Sequence, residues 1–133
     1  MGKKISAQYS SSNPIFIGVL NGSFIFMADL LRSVTIDCEV DFIKVRSYSG
    51  KKSSGTIDLL KDISSDIKGR DVIIVEDIID TGLSIKFLYE RIVGAYPKSV
   101  AVATFLNKPR KAKLDFPIDF IGFEIPHKFV VGY

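Results

Sequence analysis

Short apolar runs separated by polar turns follow one another along the chain, and their spacing predicts alternating strands and helices. The run at 72–75, Val-Ile-Ile-Val, is unbroken and β-branched, which is typical of a strand buried on both faces of a parallel sheet. Helices are predicted at 24–31 and 85–93, the second ending near Gly94. The other predicted strands are 15–20, 40–45, 56–60, 100–105 and 118–123.

Strands that alternate with helices across short turns indicate right-handed crossovers, and therefore an α/β fold with a mainly parallel twisted sheet flanked by helices. The strands at 40–45 and 56–60 differ, because the segment 47–55 between them is rich in Ser, Gly and Lys. This pair predicts an antiparallel, flexible flap. A chain of 133 residues buries enough surface for one core, so we expect a single domain over 1–133.

Composition narrows the class of protein. The chain carries 18 basic and 15 acidic residues, a net charge of +3, which is too mild to argue for nucleic acid or membrane as a partner. Its single cysteine, Cys38, cannot form an intrachain disulfide. No apolar run approaches the roughly 18 residues that a membrane helix needs. We therefore expect a cytoplasmic protein with small-molecule partners.

The strongest chemical signal follows the run at 72–75. Three carboxylates come first, a hydroxyl-and-glycine turn comes next, and the helix at 85–93 completes the segment. Amide groups and hydroxyls at a helix start suit a phosphate, whereas the carboxylates suit a hard cation or sugar hydroxyls. A 5-phosphoribosyl group with bound Mg²⁺ presents both. The alternative is that one residue caps the helix and the acids are only solvated, but capping needs fewer acids than the three in this segment. The residues are Glu76, Asp77, Asp80, Thr81, Gly82 and Ser84.

This segment resembles a known signature. The sequence at 76–82, Glu-Asp-Ile-Ile-Asp-Thr-Gly, is similar to the phosphoribosyl-pyrophosphate (PRPP) motif of the type I phosphoribosyltransferases. Further matches at 19–24, 107–109, 122–126 and 129–133 make the chain resemble the hypoxanthine(-guanine) phosphoribosyltransferases. The resemblance implies purine salvage, in which 5-phosphoribosyl passes from PRPP to hypoxanthine or guanine, giving IMP or GMP and pyrophosphate. It also implies Mg²⁺ as cofactor and a homodimer or homotetramer.

The resemblance assigns roles to individual residues. Asp80 would be the general base, and Glu76 and Asp77 would hold the ribose and its Mg²⁺. The remaining roles are 5′-phosphate and PRPP binding by Asp80, Thr81, Gly82, Leu83 and Ser84, pyrophosphate binding by Asn21 and Gly22, purine binding by Lys108, Phe129 and Val130, and closure of a flap that carries Ser47 and Tyr48.

The chain departs from the family at a few points. Many members have lysine where this chain has Asn21, and relative to the family the chain is short at both termini. It stops at Tyr133, before an aspartate that helps the family bind Mg²⁺. A related transferase for another base, an RNA-binding regulator of phosphoribosyltransferase type and an inactive remnant stay open as alternatives.

Overall fold

A sheet runs through the computed structural model, which describes residues 1–47, 57–109, 114–131 and 133. Within those residues the sheet has six strands in the order β3-β2-β1-β4-β5-β6. All neighbouring pairs are parallel except β2 with β3. The predicted parallel sheet and antiparallel flap are thus confirmed, while the assignment of 1–133 to one domain stays a prediction. The elements are α1 Gly2–Gln8, β1 Ile15–Leu20, α2 Phe24–Arg32, β2 Glu39–Ser47, β3 Ile57–Lys61, β4 Asp71–Ile79, α3 Leu83–Val93, β5 Ser99–Asn107 and β6 Phe120–Glu124.

The run that predicted the central strand forms the middle of the core. Its side chains point alternately to the two faces of β4, because successive strand residues alternate. On one face Ile74 packs with Leu88 of α3, and on the other Ile73 packs with Met27 of α2. All the residues of 72–75 are fully buried. Each such side chain stabilises the fold by roughly 1.5–3 kcal/mol relative to exposure, which fixes the sheet that carries the site.

Strand β4 is longer than its apolar run. The prediction that the strand ends at 75 was wrong, since the ladder with β5 continues from Glu76 opposite Thr104 to Ile79 opposite Asn107. Backbone pairing with a long neighbour therefore carries two acids, Glu76 and Asp77, into the strand itself. Only Asp80 follows the strand.

Helix α1 was not predicted. It is a short helix of seven residues without a side-chain cap, and it offers too few apolar positions for a periodic signal. Its stability comes from packing, because Ile5 and the following Tyr9 are buried. Gly2 lies so close to α2 that an added Cβ would be 2.1 Å from Ser33 Oγ. None of the helices in the described part of the chain is long and apolar enough to span a membrane.

Candidate active site

A cleft of about 370 Å³ opens at the carboxyl end of β4. This is the edge where parallel sheets bind their ligands. The cleft combines the strand-end acids, the turn into α3 and the tip of flap strand β2. Its lining residues are Ser47, Glu76, Asp77, Ile78, Ile79, Asp80, Thr81, Gly82, Ser84 and Ile85. Most of the residues predicted for ribose and phosphate binding are thus brought together.

Glu76 and Asp77 differ in their environment although they are neighbours. Glu76 is buried and Asp77 is half-buried. Burial, followed by the hydrogen bond and negative charge of Asp77, raises the pKa of the Glu76 carboxyl well above its usual range. The Asp77 amide donates to Glu76 Oε1 at 3.1 Å, and the Ile78 amide donates to Asp77 Oδ1 at 2.9 Å. Asp77 is therefore the more accessible of the two carboxyl groups in the cleft.

The turn after β1 lies directly behind Asp77. The peptide bond between Leu20 and Asn21 is cis, and Gly22 follows it. A Cβ built on Gly22 would lie 2.6 Å from Asp77 Oδ2 and 2.7 Å from both of the other carboxyl atoms. Any residue with a side chain would therefore displace the acid. Two strand ends that are far apart in sequence meet here, as expected for neighbouring parallel strands.

The turn from Asp80 into α3 has the properties of a phosphate site. Gly82 is the N-cap of α3 and has φ of 83°, a left-handed conformation that glycine adopts without a steric cost. No side chain forms a cap hydrogen bond to α3, apart from a long contact of 3.4 Å from the Leu83 amide to Thr81 Oγ1. The amino end of a helix of 11 residues and the hydroxyls beside it therefore offer groups that suit an anion.

Lys108 contacts the acid predicted to be the general base. Its Nζ lies 3.4 Å from Asp80 Oδ1, and its side chain is only 7% exposed. The Lys108 amide also donates to the carbonyl of Ile79 at 3.0 Å, so the ends of β4 and β5 are tied together. A buried ammonium group needs a compensating anion, and Asp80 supplies it. The result is a cation and a carboxylate in contact with each other beside the turn into α3.

Comparison with known proteins assigns the chain to a family. A model described as phosphoribosyl transferase domain matches residues 1–133. The chain is 46% identical to hypoxanthine phosphoribosyltransferase of Salmonella typhimurium over 136 residues, which cover all of this chain and 76% of that protein. The chain belongs to the hypoxanthine(-guanine) phosphoribosyltransferase family.

Solved structures agree with this assignment. A hypoxanthine-guanine phosphoribosyltransferase from Bacillus anthracis matches with a TM-score of 0.86 and 39% identity, covering 96% of this chain and 74% of that one. A hypoxanthine phosphoribosyltransferase from Trypanosoma cruzi, in complex with the product IMP, matches with a TM-score of 0.87 and 34% identity, covering 96% and 73%. The phosphoribosyltransferase fold predicted from the sequence is therefore confirmed.

Some residues that the phosphoribosyltransferase resemblance selected do not line the cleft. Asn21 and Leu83 have exposed side chains, and Phe129 is 94% exposed, with no aromatic contact to any other described residue. Val130 is half-buried outside the cleft lining. Tyr48 lies outside the described residues. The roles given to these residues remain predictions.

Sequence reasoning missed part of the phosphoribosyltransferase site. Ile78, Ile79 and Ile85 form an apolar wall of the cleft, although they looked like ordinary core residues. The contact between Lys108 and Asp80 was also missed. The signal for it was present, because each residue directly follows a strand and the two strands are parallel neighbours. Strand order, which the sequence does not give, was needed to use that signal.

Proposed function

We propose that this chain transfers the 5-phosphoribosyl group from PRPP to hypoxanthine, and also to guanine, giving IMP or GMP and pyrophosphate. The observation that carries the proposal is the position of Asp80. Asp80 lines the cleft next to the turn at the amino end of α3, and its carboxylate contacts the buried ammonium of Lys108. A carboxylate base and an anion site in one cleft, with a cation in contact with the base, suit the ribosylation of a purine. The reaction named for the relatives supports the same conclusion.

The substrate is held at its phosphate end by the turn into α3. The Thr81 and Ser84 hydroxyls and the amides around Gly82 bind the 5′-phosphate, far from the bond that breaks. Such remote binding energy orients the sugar and supports catalysis at the reacting carbon. Asp77 and Glu76 hydrogen-bond to the ribose hydroxyls. Gly22 leaves room for the Asp77 carboxylate, which an added Cβ at this position would meet at 2.6 Å.

The donor set fits a magnesium ion. The described residues contain no group of three or more His, Cys, Asp or Glu side chains that could hold a metal alone. Asp77 and Glu76 nevertheless offer oxygen ligands at the cleft, and Mg²⁺ in phosphate chemistry typically takes one or two carboxylates together with substrate phosphates. When bound, Mg²⁺ would neutralise charge on the departing pyrophosphate. Asp77 is the residue that would hold it, assisted by Glu76.

The chemical step exchanges one bond for another. A ring nitrogen of the purine forms a bond to the anomeric carbon, and the bond from that carbon to the pyrophosphate oxygen breaks with its electron pair. Asp80 takes the proton that the ring nitrogen loses. Negative charge from Asp77 and Asp80 favours the positive character that develops on the sugar. Lys108 donates a hydrogen bond to the carbonyl oxygen of a 6-oxopurine and would oppose the amino group of adenine.

The flap acts as a cover. Ser47, at the end of β2, lines the cleft, so a flap that carries this residue is placed to close over bound PRPP. Closure excludes water, which would otherwise intercept the reacting sugar.

A product assay tests this function. The folded chain is incubated with PRPP, Mg²⁺ and one base from the set hypoxanthine, guanine, xanthine and adenine, and nucleotide is quantified by chromatography. We expect IMP and GMP to form only when Mg²⁺ is present. If only the nucleotide of xanthine or of adenine forms, the base assigned as substrate is wrong. Absence of any nucleotide, together with no heat on titration with IMP, would overturn the proposal.

We also propose that the protein assembles as a homodimer or homotetramer, as the family resemblance implies. Analytical ultracentrifugation over a concentration range measures this directly. A single monomeric species at all concentrations would contradict it, and would not bear on the transfer reaction.

A further inference from the structure

The turn between β1 and α2 is closed by one buried side chain. Ser23 is 0% exposed. Its Oγ donates to the carbonyl of Val19 at 2.7 Å, and its amide donates to the same carbonyl at 3.2 Å. Both donors of Ser23 therefore converge on one oxygen near the end of β1, and they close the segment 19–23 into a tight turn.

The hydroxyl of Ser23 does not stabilise the helix that begins beside it. Ser23 is the N-cap residue of α2, yet no side chain forms a cap hydrogen bond to this helix. A serine at this position usually accepts a hydrogen bond from an amide of the first helical turn. Here the hydroxyl donates backwards to β1 instead. The side chain of Ser23 therefore stabilises the turn rather than the helix.

The sheet alone does not hold this turn beside β4. The pairing of β1 with β4 ends at Gly18, whereas its pairing with β2 continues to Leu20. Gly22 nevertheless lies against Asp77 of β4, so close that an added Cβ would meet the carboxylate. Because the pairing with β4 ends before the turn, the hydrogen bonds of Ser23 determine where Gly22 lies relative to Asp77.

We infer that Ser23 is a positioning residue for the binding of PRPP. The inference rests on the proposed transfer reaction, and on the pyrophosphate-binding role predicted for Asn21 and Gly22. Ser23 is buried and does not touch the substrate. Its hydroxyl holds the turn next to β4, so that Gly22 and Asp77 contact the same PRPP molecule.

The expected consequence is selective for one ligand. PRPP carries the pyrophosphate that reaches the turn, whereas IMP carries none. Asp77 keeps its own hydrogen bond from the Ile78 amide, which does not depend on the turn. Loss of the Ser23 hydroxyl should therefore weaken the binding of PRPP and leave the binding of IMP unchanged.

Ser23→Ala tests this role, with Ser33→Ala as the matched control. Ser33 Oγ donates to the carbonyl of Leu30, also at 2.7 Å, at the opposite end of α2. In Ser23→Ala we expect KM for PRPP to rise about fivefold, the factor that corresponds to one hydrogen bond of about 1 kcal/mol, while kcat and the Kd of IMP change by less than about twofold. Ser33→Ala should leave all three quantities unchanged. An equal KM for PRPP in the two variants, with an active native chain, would overturn the inference.

Two further variants test how the hydroxyl acts. Ser23→Cys has nearly the same volume but only a weak donor, so KM for PRPP should lie between the values of the native chain and Ser23→Ala. This variant also serves if Ser23→Ala does not fold. In Gly22→Ala the contact with Asp77 is already disturbed, so adding Ser23→Ala should raise KM for PRPP by less than about twofold further.

The outcomes separate this role from the proposed function. A native KM for PRPP in Ser23→Cys, or a full further rise of about fivefold in the double variant, would refute the positioning role. A native chain that forms no nucleotide and does not bind IMP would instead refute the transfer reaction.

Discussion

Carboxylates at the two ends of strand β4 have different hydrogen-bond partners. At the amino end, Asp71 accepts hydrogen bonds from Ser99 Oγ at 2.6 Å and from Lys98 Nζ at 3.3 Å. At the carboxyl end of the same strand, Glu76 faces another acid, Asp77. The consequences are opposite in sign. The Ser99 hydroxyl, with Lys98, lowers the pKa of Asp71, whereas burial and Asp77 raise the pKa of Glu76.

This contrast separates acids that stabilise the fold from acids that are available to a ligand. An acid whose hydrogen bonds are supplied by the protein contributes to the free energy of unfolding. An acid placed against another acid is destabilising until a cation or a donor arrives. The carboxyl end of β4 therefore gives up stability at the proposed substrate site. Substitutions at the two kinds of position should accordingly affect different measurements.

The largest expected effect is on turnover. Asp80→Asn removes the general base but keeps the shape of the cleft, so we expect kcat to fall by roughly 100-fold or more with little change in IMP affinity. Steady-state kinetics and calorimetry measure the two quantities. Asp115→Asn is the matched control, because that acid is exposed and contacts only Lys86 among the described side chains. Unchanged turnover in the Asp80 variant would remove this residue from the chemistry.

The next effect is on stability. Asp41 of β2 is buried, and burial alone would raise its pKa, but amide donors from Ser65, Phe42 and Ser64 outweigh it and hold the pKa at about 2. Because the folded pKa lies below the ordinary value, the stabilisation is present above about pH 4 and is lost as pH falls through about 2. Asp41→Asn should cost about 2 kcal/mol at neutral pH.

Urea unfolding at several pH values checks this pattern. The difference in the free energy of unfolding between the native chain and Asp41→Asn should shrink as the pH falls from about 4 to about 2. The exposed Asp37→Asn serves as control. A difference that stays constant down to pH 2 would contradict the assignment of the effect to ionisation.

Gly22→Ala should act on substrate binding. The new Cβ would lie 2.6 Å from Asp77 Oδ2, so the acid must move away from the ribose position. We expect kcat/KM for PRPP to fall by about tenfold, since small misplacements of positioning groups are costly. Gly94→Ala is the control, because there the nearest atom to an added Cβ is 3.4 Å away. Equal kinetics for the two alanine variants would show that the close approach is unimportant.

The smallest expected effect is on base selection. Lys108→Ala removes the donor proposed for the purine oxygen, and the preference for hypoxanthine over adenine should fall by roughly 2- to 10-fold, the value of one hydrogen bond. Competition assays with both bases measure the ratio. A preserved ratio would exclude Lys108 from the purine site and would leave the contact with Asp80 as the role of this residue.

Much of the fold could be predicted because its central strands are continuous apolar runs. Ile15–Leu20 was predicted with its observed bounds. The extension of β4 through Glu76 and Asp77 could not be predicted, because it depends on pairing with β5 rather than on the residues themselves. Helix α1 was missed because tertiary packing, and not periodicity, stabilises it.

The site divides along the same line. The acids and turn residues that are close in sequence line one cleft, because a strand followed by a turn fixes where they lie; their roles stay predictions. Contacts between distant segments, such as Gly22 against Asp77, depend on strand order and close packing. Phe129 shows the limit of the resemblance. The resemblance assigned it to the purine site, but its ring is exposed and does not line the cleft.

Strand β2 belongs to two pairings at once. Its residues up to Lys44 lie parallel to β1, those from Lys44 onward lie antiparallel to β3, and the register shifts between Lys44 and Val45. Side chains alternate between the two faces of a strand, so the number of residues between that shift and Ser47 determines the face on which Ser47 lies. Inserting or deleting a single residue there would turn Ser47 to the opposite side, while the frame beneath would keep its alignment. A one-residue change in the length of β2 would therefore exchange the side chain that this strand presents to the cleft.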